Sequence, residues 1–271
     1  MGLRHGEKLD TGLPLYKLPP MAHVGSMSIA ALYDIHGNLP ALEAVLDDVR
    51  RSGADEIVVG GDVVPGPMPR ETLDRLLDLE LPVRFISGNG DRVVGELMRG
   101  QEPAEVPAAF REGIRWNARQ LAERHAKILE GWPATLRAAV AGVGSILFCH
   151  ATPNNDVDVF TRLTPEAQLL PVVEAVDAEL VVCGHTHMQF DRKVGPIRVV
   201  NAGSVGMPFG NPGAYWLLLG PGVELRHTSY DLEAAAQKIR KTEYPGAIEF
   251  ADRNVLNPPS EEAMLKAYTR Q

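Results

Sequence analysis

Residues 29–38, Ile-Ala-Ala-Leu-Tyr-Asp-Ile-His-Gly-Asn, decide the fold that we predict for this chain. The first half of this stretch is a short apolar run typical of a buried strand, and residues 34–38 then make a tight polar turn. A helix is predicted over residues 39–51, because apolar side chains recur there at helical spacing and Gly53 can end it. A buried strand that leads through a turn into a helix is the repeating unit of α/β folds.

The same pattern repeats along the first half of the chain. A second strand is expected at residues 57–60 with a helix over 70–79, and a third strand at 83–87. The region from about 93 to 137 is predicted to be a helical insertion, in which His125 is expected to be exposed. Further strands are expected at 140–144, 145–149, 180–183, 190–194, 197–200 and 214–219. This order of elements predicts an α/β fold of two packed sheets with helices outside.

Two segments are predicted to lie outside the main domain, which spans residues 27–230. Residues 1–26 contain no continuous apolar run, so we expect a flexible extension rather than a signal peptide. Residues 231–271 are polar and mostly helical in pattern, and we expect them to pack on the domain as a tail. The longest uncharged stretch, residues 199–223, is broken by glycines and prolines, so no transmembrane helix is expected.

The composition argues against several classes of partner. The chain has 27 Lys and Arg against 35 Asp and Glu, and its net charge of −8 disfavours binding to nucleic acid or to an anionic membrane. Two cysteines exclude a disulfide framework and are typical of a reducing compartment. We therefore predict a cytoplasmic protein without nucleic-acid or membrane partners.

Polar residues follow the predicted strands at the point where each strand ends. They are Asp34, His36, Asp62, Asn89, His150, His185, His187 and Asn201. In α/β sheets ligands bind at the carboxyl ends of the strands, and Asp, Asn and His donors suit manganese, iron, cobalt or zinc. Any one of these residues alone is better explained as a turn former, a helix cap or a hydrogen-bonded core histidine. The whole set in strand-to-loop positions indicates a metal site.

Five motifs occur in order along the chain. They are Asp34-Ile-His36, Gly61-Asp62, Gly88-Asn-Gly-Asp91, Cys149-His150 and Gly184-His-Thr-His187. This ordered pattern resembles that of the calcineurin-like metallophosphoesterase superfamily, over about residues 27–230. Within the superfamily the chain looks most similar to a small bacterial branch of diadenosine tetraphosphatases and related phosphodiesterases. The resemblance implies a four-layer αββα sandwich of two mixed sheets.

The resemblance also implies a centre of two divalent metal ions. The first ion would be held by Asp34, His36, Asp62 and His187, and the second by Asp62, Asn89, His150 and His185. Asp62 and Asn89 would thereby be catalytic, with Asp62 bridging the ions and a bridging hydroxide attacking phosphorus. Manganese is the metal we expect first, with iron, zinc, cobalt or nickel as alternatives.

Four further side chains have two interpretations each. Asp91 is either a catalytic group on the substrate side or a turn carboxylate. Asn38 either touches substrate or caps the helix that follows it. Arg92 either contacts a phosphate or is a surface arginine, and Asn154 either lines the pocket or lies in a solvated loop.

One position departs from the family pattern. The family commonly has a histidine after the metal-binding asparagine, where it is thought to protonate the leaving group or bind phosphate, whereas this chain has Gly90. Without that acid the leaving group must be stabilised in another way. We therefore predict a preference for phosphodiesters, nucleotide anhydrides or aryl esters over alkyl phosphomonoesters.

The predicted function is hydrolysis of phosphodiester or phosphoanhydride bonds in small phosphate ester substrates, nucleotides among them. The alternative is a serine/threonine protein phosphatase or phosphomonoesterase with the same metal site. A non-catalytic scaffold with the same fold is less favoured, because such relatives lose metal ligands and all seven ligand positions are filled here.

Overall fold

Two five-stranded sheets form the centre of the fold. The computed structural model describes residues 27–103 and 106–269, so the predicted extension over residues 1–26 lies outside the described residues. The strands there are β1 Ile29–Leu32, β2 Glu56–Val59, β3 Val83–Phe85, β4 Thr135–Val140, β5 Gly144–Cys149, β6 Leu180–Cys183, β7 Phe190–Val194, β8 Ile197–Asn201, β9 Ala214–Leu219 and β10 Val223–Thr228.

Both sheets are mixed. The first has the order β10-β9-β1-β2-β3, in which β1, β2 and β3 run parallel and β9 is antiparallel to both of its neighbours. The second has the order β4-β5-β6-β8-β7, in which β5, β6 and β8 run parallel and the two edge strands are antiparallel. Parallel strands place their carboxyl ends at one edge of a sheet, and each sheet therefore has such an edge.

Helices cover the outer faces of the two sheets and form the end of the chain. They are α1 Leu39–Ser52, α2 Pro69–Leu77, α3 Asn89–Met98, α4 Ala108–Gln120, α5 Glu123–Glu130, α6 Glu166–Val173, α7 Leu232–Arg240, α8 Ala247–Phe250 and α9 Glu261–Tyr268, with a π-helical segment at Ala251–Leu256. None of the helices within the described residues is long and apolar enough to span a membrane.

Strand β1 shows why the apolar runs are continuous rather than alternating. Ala31 packs in a cluster with Phe148 and Val200 of the second sheet, whereas Leu32 packs on the other side with Leu42 of α1. Because both faces of the strand are buried, every position along it is apolar. The outer face of the second sheet is covered in turn by α6. The result is the four-layer αββα sandwich that the sequence predicted.

Three predictions of local structure are wrong. The strand expected at 140–144 ends at Val140, and the chain turns there because Gly142 and Gly144 adopt φ angles of +81° and +95°. Strand β10 was not predicted, since it is an edge strand with few apolar side chains. His125 is fully buried rather than exposed, with Nδ1 accepting from the Ala122 N–H at 3.0 Å and Nε2 2.9 Å from Asp74 Oδ1.

The end of the chain packs on the main domain through a separate apolar cluster. Ala236 and Ile239 of α7 and Phe250 of α8 are buried in this cluster together with Met68, which directly precedes α2. Met207, in the loop after β8, packs against the same cluster. The loops of the domain are thereby held from outside by the C-terminal helices.

Candidate metal centre

Loops from both sheets converge on one point at the carboxyl ends of their parallel strands. Strand β1 is followed by Asp34 and His36, β2 by Asp62, β5 by His150 and β6 by His185 and His187, while Asn89 is the first residue of α3. Five of these seven residues are buried, and Asn89 and His185 are half-buried. The fold therefore brings into one region residues that are spread over more than half of the chain.

Asp34, His36 and His187 form one group of potential metal ligands. One ligand atom from each lies within 4.8 Å of the others. The Nε2 atoms of the two histidines are 3.2 Å apart, and Asp34 Oδ1 lies 3.4 Å from His187 Nε2 and 3.9 Å from His36 Nε2. Three such atoms facing one small space can hold a single cation.

A second group consists of Asp34, Asp62 and His150, again with ligand atoms within 4.8 Å of one another. Asp62 Oδ2 lies 3.7 Å from His36 Nε2 of the first group and 3.6 Å from His150 Nε2 of the second group. Asn89 adds its Oδ1 atom at 3.2 Å from His150 Nε2. Asp34 is shared by both groups, and one oxygen of Asp62 lies close to a histidine of each.

Backbone carbonyls fix the tautomers of three of the histidines. The Nδ1 atoms of His36, His150 and His187 lie 3.2, 3.0 and 2.7 Å from the carbonyl oxygens of Pro65, Gly60 and Met207. A carbonyl only accepts, so each Nδ1 carries the proton and each Nε2 of a neutral ring presents a lone pair to the site. This arrangement of the outer nitrogen is typical of metal-ligating histidines.

Burial keeps His36 and His185 neutral. Burial and then the charge of neighbouring His187 lower the pKa of His36 to about 3. Burial and neighbouring His150 likewise lower the pKa of His185 to about 4. At neutral pH both rings therefore offer lone pairs rather than protons.

The two carboxylates are each anchored by one oxygen and free at the other. Asp34 Oδ2 accepts from the His185 N–H at 2.9 Å, and Asp62 Oδ1 accepts from the Gly90 N–H at 2.7 Å. Asp34 Oδ1 is buried and has no hydrogen-bond partner among the described residues. An unsatisfied buried carboxylate oxygen is costly, and a cation in the space it faces removes that cost. The donor set and this orphaned oxygen therefore fit a divalent metal.

The two carboxyl groups have pKa values that are shifted in opposite directions. Burial opposes ionisation of Asp34, yet the adjacent histidines, His187 foremost, hold its pKa below the ordinary value. Burial and the charge of Asp34 raise the pKa of Asp62 well above its ordinary value. A bound cation would favour the ionised form of both groups.

The backbone of the site is strained at every loop that carries a carboxylate or a histidine pair. Among the described residues other than glycine, positive φ angles occur only at Asp34 (53°), His36 (47°), Asp62 (53°), His185 (65°) and His187 (57°). Each such conformation costs on the order of 1–3 kcal/mol and persists where surrounding contacts enforce it. The His36 N–H, for example, donates to the Asp62 carbonyl at 2.9 Å. All five strained residues are predicted ligands.

Asp91 lies beneath the site rather than in it. Its carboxylate is fully buried and accepts from the backbone N–H groups of Asp62, Val64 and Gly88 at 2.7, 3.1 and 3.1 Å. These contacts are those expected of a turn carboxylate, which is one of the two interpretations left open by the sequence. Asp91 is therefore a positioning residue for the Asp62 loop.

Asn38 and Asn201 also hold loops in place. Asn38 is fully buried, caps α1 by accepting from the Ala41 N–H at 3.2 Å, and donates to the Gly206 carbonyl at 3.0 Å. It therefore has no exposed surface to offer a substrate. Asn201 donates to the Gly184 carbonyl at 2.6 Å and to Thr186 Oγ1 at 3.1 Å, which braces the His185–His187 turn.

The remaining predicted residues lie at the edge of the site. The His185 ring stands edge-on to His150 at 5.2 Å between centroids and is outside both three-residue groups. Arg92 is paired with Asp156 at 2.7 Å and with Glu96 at 3.2 Å. Asn154 is exposed, as expected for a solvated loop.

Gly90 packs so tightly that no side chain fits there. A Cβ atom at this position would lie 2.5 Å from the Val64 carbonyl oxygen and 2.9 Å from Asp62 Oδ1. The place of the family histidine is thus taken by backbone in direct contact with Asp62. Sequence reasoning missed this contact, and also the three carbonyl partners of the histidines, because backbone groups leave no signature in residue type.

Comparisons with known proteins agree with this geometry. Residues 27–219 match the family model of the calcineurin-like phosphoesterase superfamily domain. An uncharacterised protein of Methanocaldococcus jannaschii is 27% identical over 244 residues, which cover 80% of this chain and 93% of that protein. The phosphodiesterase YfcE of Escherichia coli K12 is 28% identical over 202 residues, covering 71% of this chain and 87% of YfcE.

A solved structure shares the fold. The crystal structure of a hypothetical protein from Pyrococcus horikoshii OT3 superposes with a TM-score of 0.71 at 21% sequence identity. The match covers 83% of this chain and 97% of that chain. At this level of identity the likeness concerns the arrangement of the two sheets and their helices.

Proposed function

The chain belongs to the calcineurin-like phosphoesterase superfamily, and from this premise we propose that it hydrolyses phosphodiester or phosphoanhydride bonds of small molecules with two divalent metal ions. Nucleotides are among the proposed substrates. The single observation that carries the proposal is the buried Asp34 Oδ1, which has no hydrogen-bond partner in the described part of the chain and faces histidine lone pairs. A cation satisfies all of these atoms together.

Two ligand sets follow from the family pattern and the positions of the side chains. One ion would be held by Asp34, His36, Asp62 and His187, and the other by Asp62, Asn89, His150 and His185. Mixed oxygen and imidazole donors of this kind favour manganese, with iron, zinc, cobalt or nickel as alternatives. When bound, such ions lower the pKa of a coordinated water and stabilise charge on phosphate oxygens.

The chain itself supplies the orientation of these groups. The Gly90 N–H donates to Asp62 Oδ1. Of the two Asp62 oxygens, Oδ2 is therefore the one that faces His36 and His150. Asp91 in turn holds the backbone of Asp62. Because backbone contacts hold these groups in place, the site needs little reorganisation on binding.

The missing acid at position 90 supports the proposed substrate class. Backbone occupies the space beside Asp62, so no side chain from this position can protonate a leaving group. Substrates whose leaving group is already a stable anion, such as a phosphate or an aryl oxide, need no such acid. The name of the related YfcE, a phosphodiesterase, is consistent with this preference.

The test combines metal content with hydrolysis by the full chain loaded with manganese. We expect two manganese ions per chain and faster hydrolysis of bis(p-nitrophenyl) phosphate than of p-nitrophenyl phosphate. Loss of an outer contact alone typically costs about 10- to 100-fold, so Asp62→Asn should lower hydrolysis by at least about 100-fold. The matched control is Asp47→Asn, an exposed position on α1. Metal-free protein after loading, or an active Asp62→Asn variant, would overturn the proposal.

A further inference from the structure

A cavity of about 400 Å³ lies beside the candidate metal centre and runs along α3. Its walls include Ser87, Arg92, Arg99, Trp132, Asn155 and Asp156. Pockets that bind small molecules typically start at about 300 Å³, so the cavity is large enough for a ligand of that size. We refer to it as the α3 groove.

One end of the α3 groove adjoins a loop of the metal centre, because Asp91, which borders the groove, accepts from the Asp62 N–H at 2.7 Å. Ser87 is two residues before Asn89, and Asn155 and Asp156 lie in the loop that follows His150. A substituent of a phosphate ester placed at the metal centre can therefore extend towards the groove.

The other end is marked by a guanidinium group. Asp91, Gly95 and Arg99 follow one another at intervals of four residues, and all three border the groove. The groove therefore follows one face of α3. Arg99 Nη1 lies 3.4 Å from the position of a Cβ atom on Gly95, which shows that the side chain folds back along the helix. The guanidinium therefore lies near Gly95, which is six residues after Asn89. At 1.5 Å per residue this is roughly 9 Å along the helix axis.

The two arginines of the groove differ in their contacts. Arg92 is bound to Asp156 and Glu96. Arg99 is exposed and makes no ion pair within residues 27–103 and 106–269. A planar guanidinium without a protein carboxylate is well suited to bind a phosphate or carboxylate of a ligand.

Trp132 supplies an aromatic wall of the groove. Its ring stacks on Phe85 with centroids 4.7 Å apart and planes within 6° of parallel. This stacking fixes the orientation of the indole, which is only half-buried and borders the groove. A fixed indole favours planar rings, because stacking costs little side-chain entropy.

We propose that the α3 groove binds the leaving group of the substrate, with a planar ring against Trp132 and a second anionic group at Arg99. This rests on the proposed function, because the scissile phosphate is taken to lie at the metal centre. The substrate class is thereby narrowed to esters or anhydrides whose leaving group is a nucleotide or another aromatic anion. Simple alkyl phosphodiesters would leave the groove empty.

Calorimetry on the manganese-loaded full chain tests the proposal without relying on turnover. Three probes are titrated: inorganic phosphate, adenosine 5′-monophosphate and adenosine 3′,5′-bisphosphate. A charge-assisted hydrogen bond and a stacked ring are each worth about tenfold or more in affinity, so each added group should tighten binding by about that factor. Arg99→Gln should abolish the advantage of the bisphosphate over the monophosphate. Trp132→Ala should abolish the advantage of the monophosphate over phosphate.

The matched control is Arg119→Gln, an exposed arginine on α4 away from the groove, which should bind all three probes like the wild type. Equal affinity of the wild type for both nucleotides, or an equal loss for all three probes in Arg99→Gln, would overturn the groove assignment. Failure to hydrolyse bis(p-nitrophenyl) phosphate would overturn the proposed function instead, and the calorimetric ratios would still decide whether the groove binds nucleotides.

Discussion

The Nε2 atoms of His36 and His187 lie 3.2 Å apart, although the two residues are separated by 151 positions in the sequence. Each ring gives its Nδ1 proton to a backbone carbonyl, that of Pro65 for His36 and that of Met207 for His187. The two Nε2 lone pairs therefore face each other, which is unfavourable unless a cation lies against both. Metal binding should consequently stabilise the folded chain as a whole.

The first prediction concerns this stabilisation. Manganese at 100 times its dissociation constant contributes about 2.7 kcal/mol, which should raise the Tm of the metal-free protein by about 5–10 °C. In His187→Ala the rise should fall to less than half, because one ligand and one of the facing lone pairs are lost. Thermal unfolding with and without manganese measures the effect. His227→Ala on β10 is the matched control, and an undiminished rise in His187→Ala would contradict the prediction.

The second prediction separates positioning from catalysis at Asp91. Asp91→Asn keeps the shape of the side chain but replaces one acceptor oxygen with an NH₂ group. This group faces backbone N–H donors, so the three backbone contacts are disturbed. We expect a loss of about 1–3 kcal/mol in the free energy of unfolding and about 10- to 100-fold weaker manganese binding. With saturating manganese, most of the activity should return, since the Asp91 carboxylate contacts backbone N–H groups and no side chain of a predicted ligand.

Denaturant unfolding and metal titration measure these two effects. The exposed Asp177→Asn serves as the control for the same chemical change at the surface. If saturating manganese left Asp91→Asn inactive while its stability matched the wild type, Asp91 would have to act on the substrate directly.

The places of the candidate ligands after strands could be predicted from the sequence, because residue type and position after an apolar run are local properties. The strand over residues 29–32, the cap at Asn38 and the turn at Gly53 are all encoded within one short segment. Apolar runs flanked by glycines gave most of the other strands for the same reason. Side-chain chemistry at these positions then favoured a metal site.

Other features depend on contacts between distant segments and were not predictable from local pattern. Strand β10 is stabilised by pairing along β9, so its own residues need not be apolar. His125 is polar but buried, because Asp74 on α2 accepts its proton. Which of two interpretations holds for Asp91 likewise depends on backbone groups about 30 residues away.

The third prediction concerns the tight contact at Gly90. Gly90→Ala places a Cβ atom 2.5 Å from the Val64 carbonyl oxygen and 2.9 Å from Asp62 Oδ1, so the start of α3 must shift. We expect a loss of about 1–3 kcal/mol in stability from overpacking and weaker manganese binding, as Asp62 moves with it. Gly90→His should therefore lower hydrolysis of monoesters and diesters alike, rather than restore the family acid.

Gly222→Ala is the matched control, because a Cβ atom there would meet nothing within 4 Å. Metal titration and chemical denaturation of both alanine variants give the comparison. Wild-type metal affinity in Gly90→Ala would show that Asp62 does not depend on this contact.

The fourth prediction concerns the two cysteines, which precede the site loops without facing the site. Cys149 and Cys183 are both fully buried, and burial raises the pKa of Cys149 to about 12 and that of Cys183 well above its ordinary value. Neither thiol should react with Ellman's reagent in the folded protein at about pH 8, because the thiolate is the reactive form and is almost absent. Both should react in denaturant.

An Asp177→Cys variant, with its new thiol in an exposed loop, should react once in the native state and so confirms that the reagent is active. Rapid labelling of the native wild type would mean that the carboxyl ends of β5 and β6 open far more often than their packing indicates.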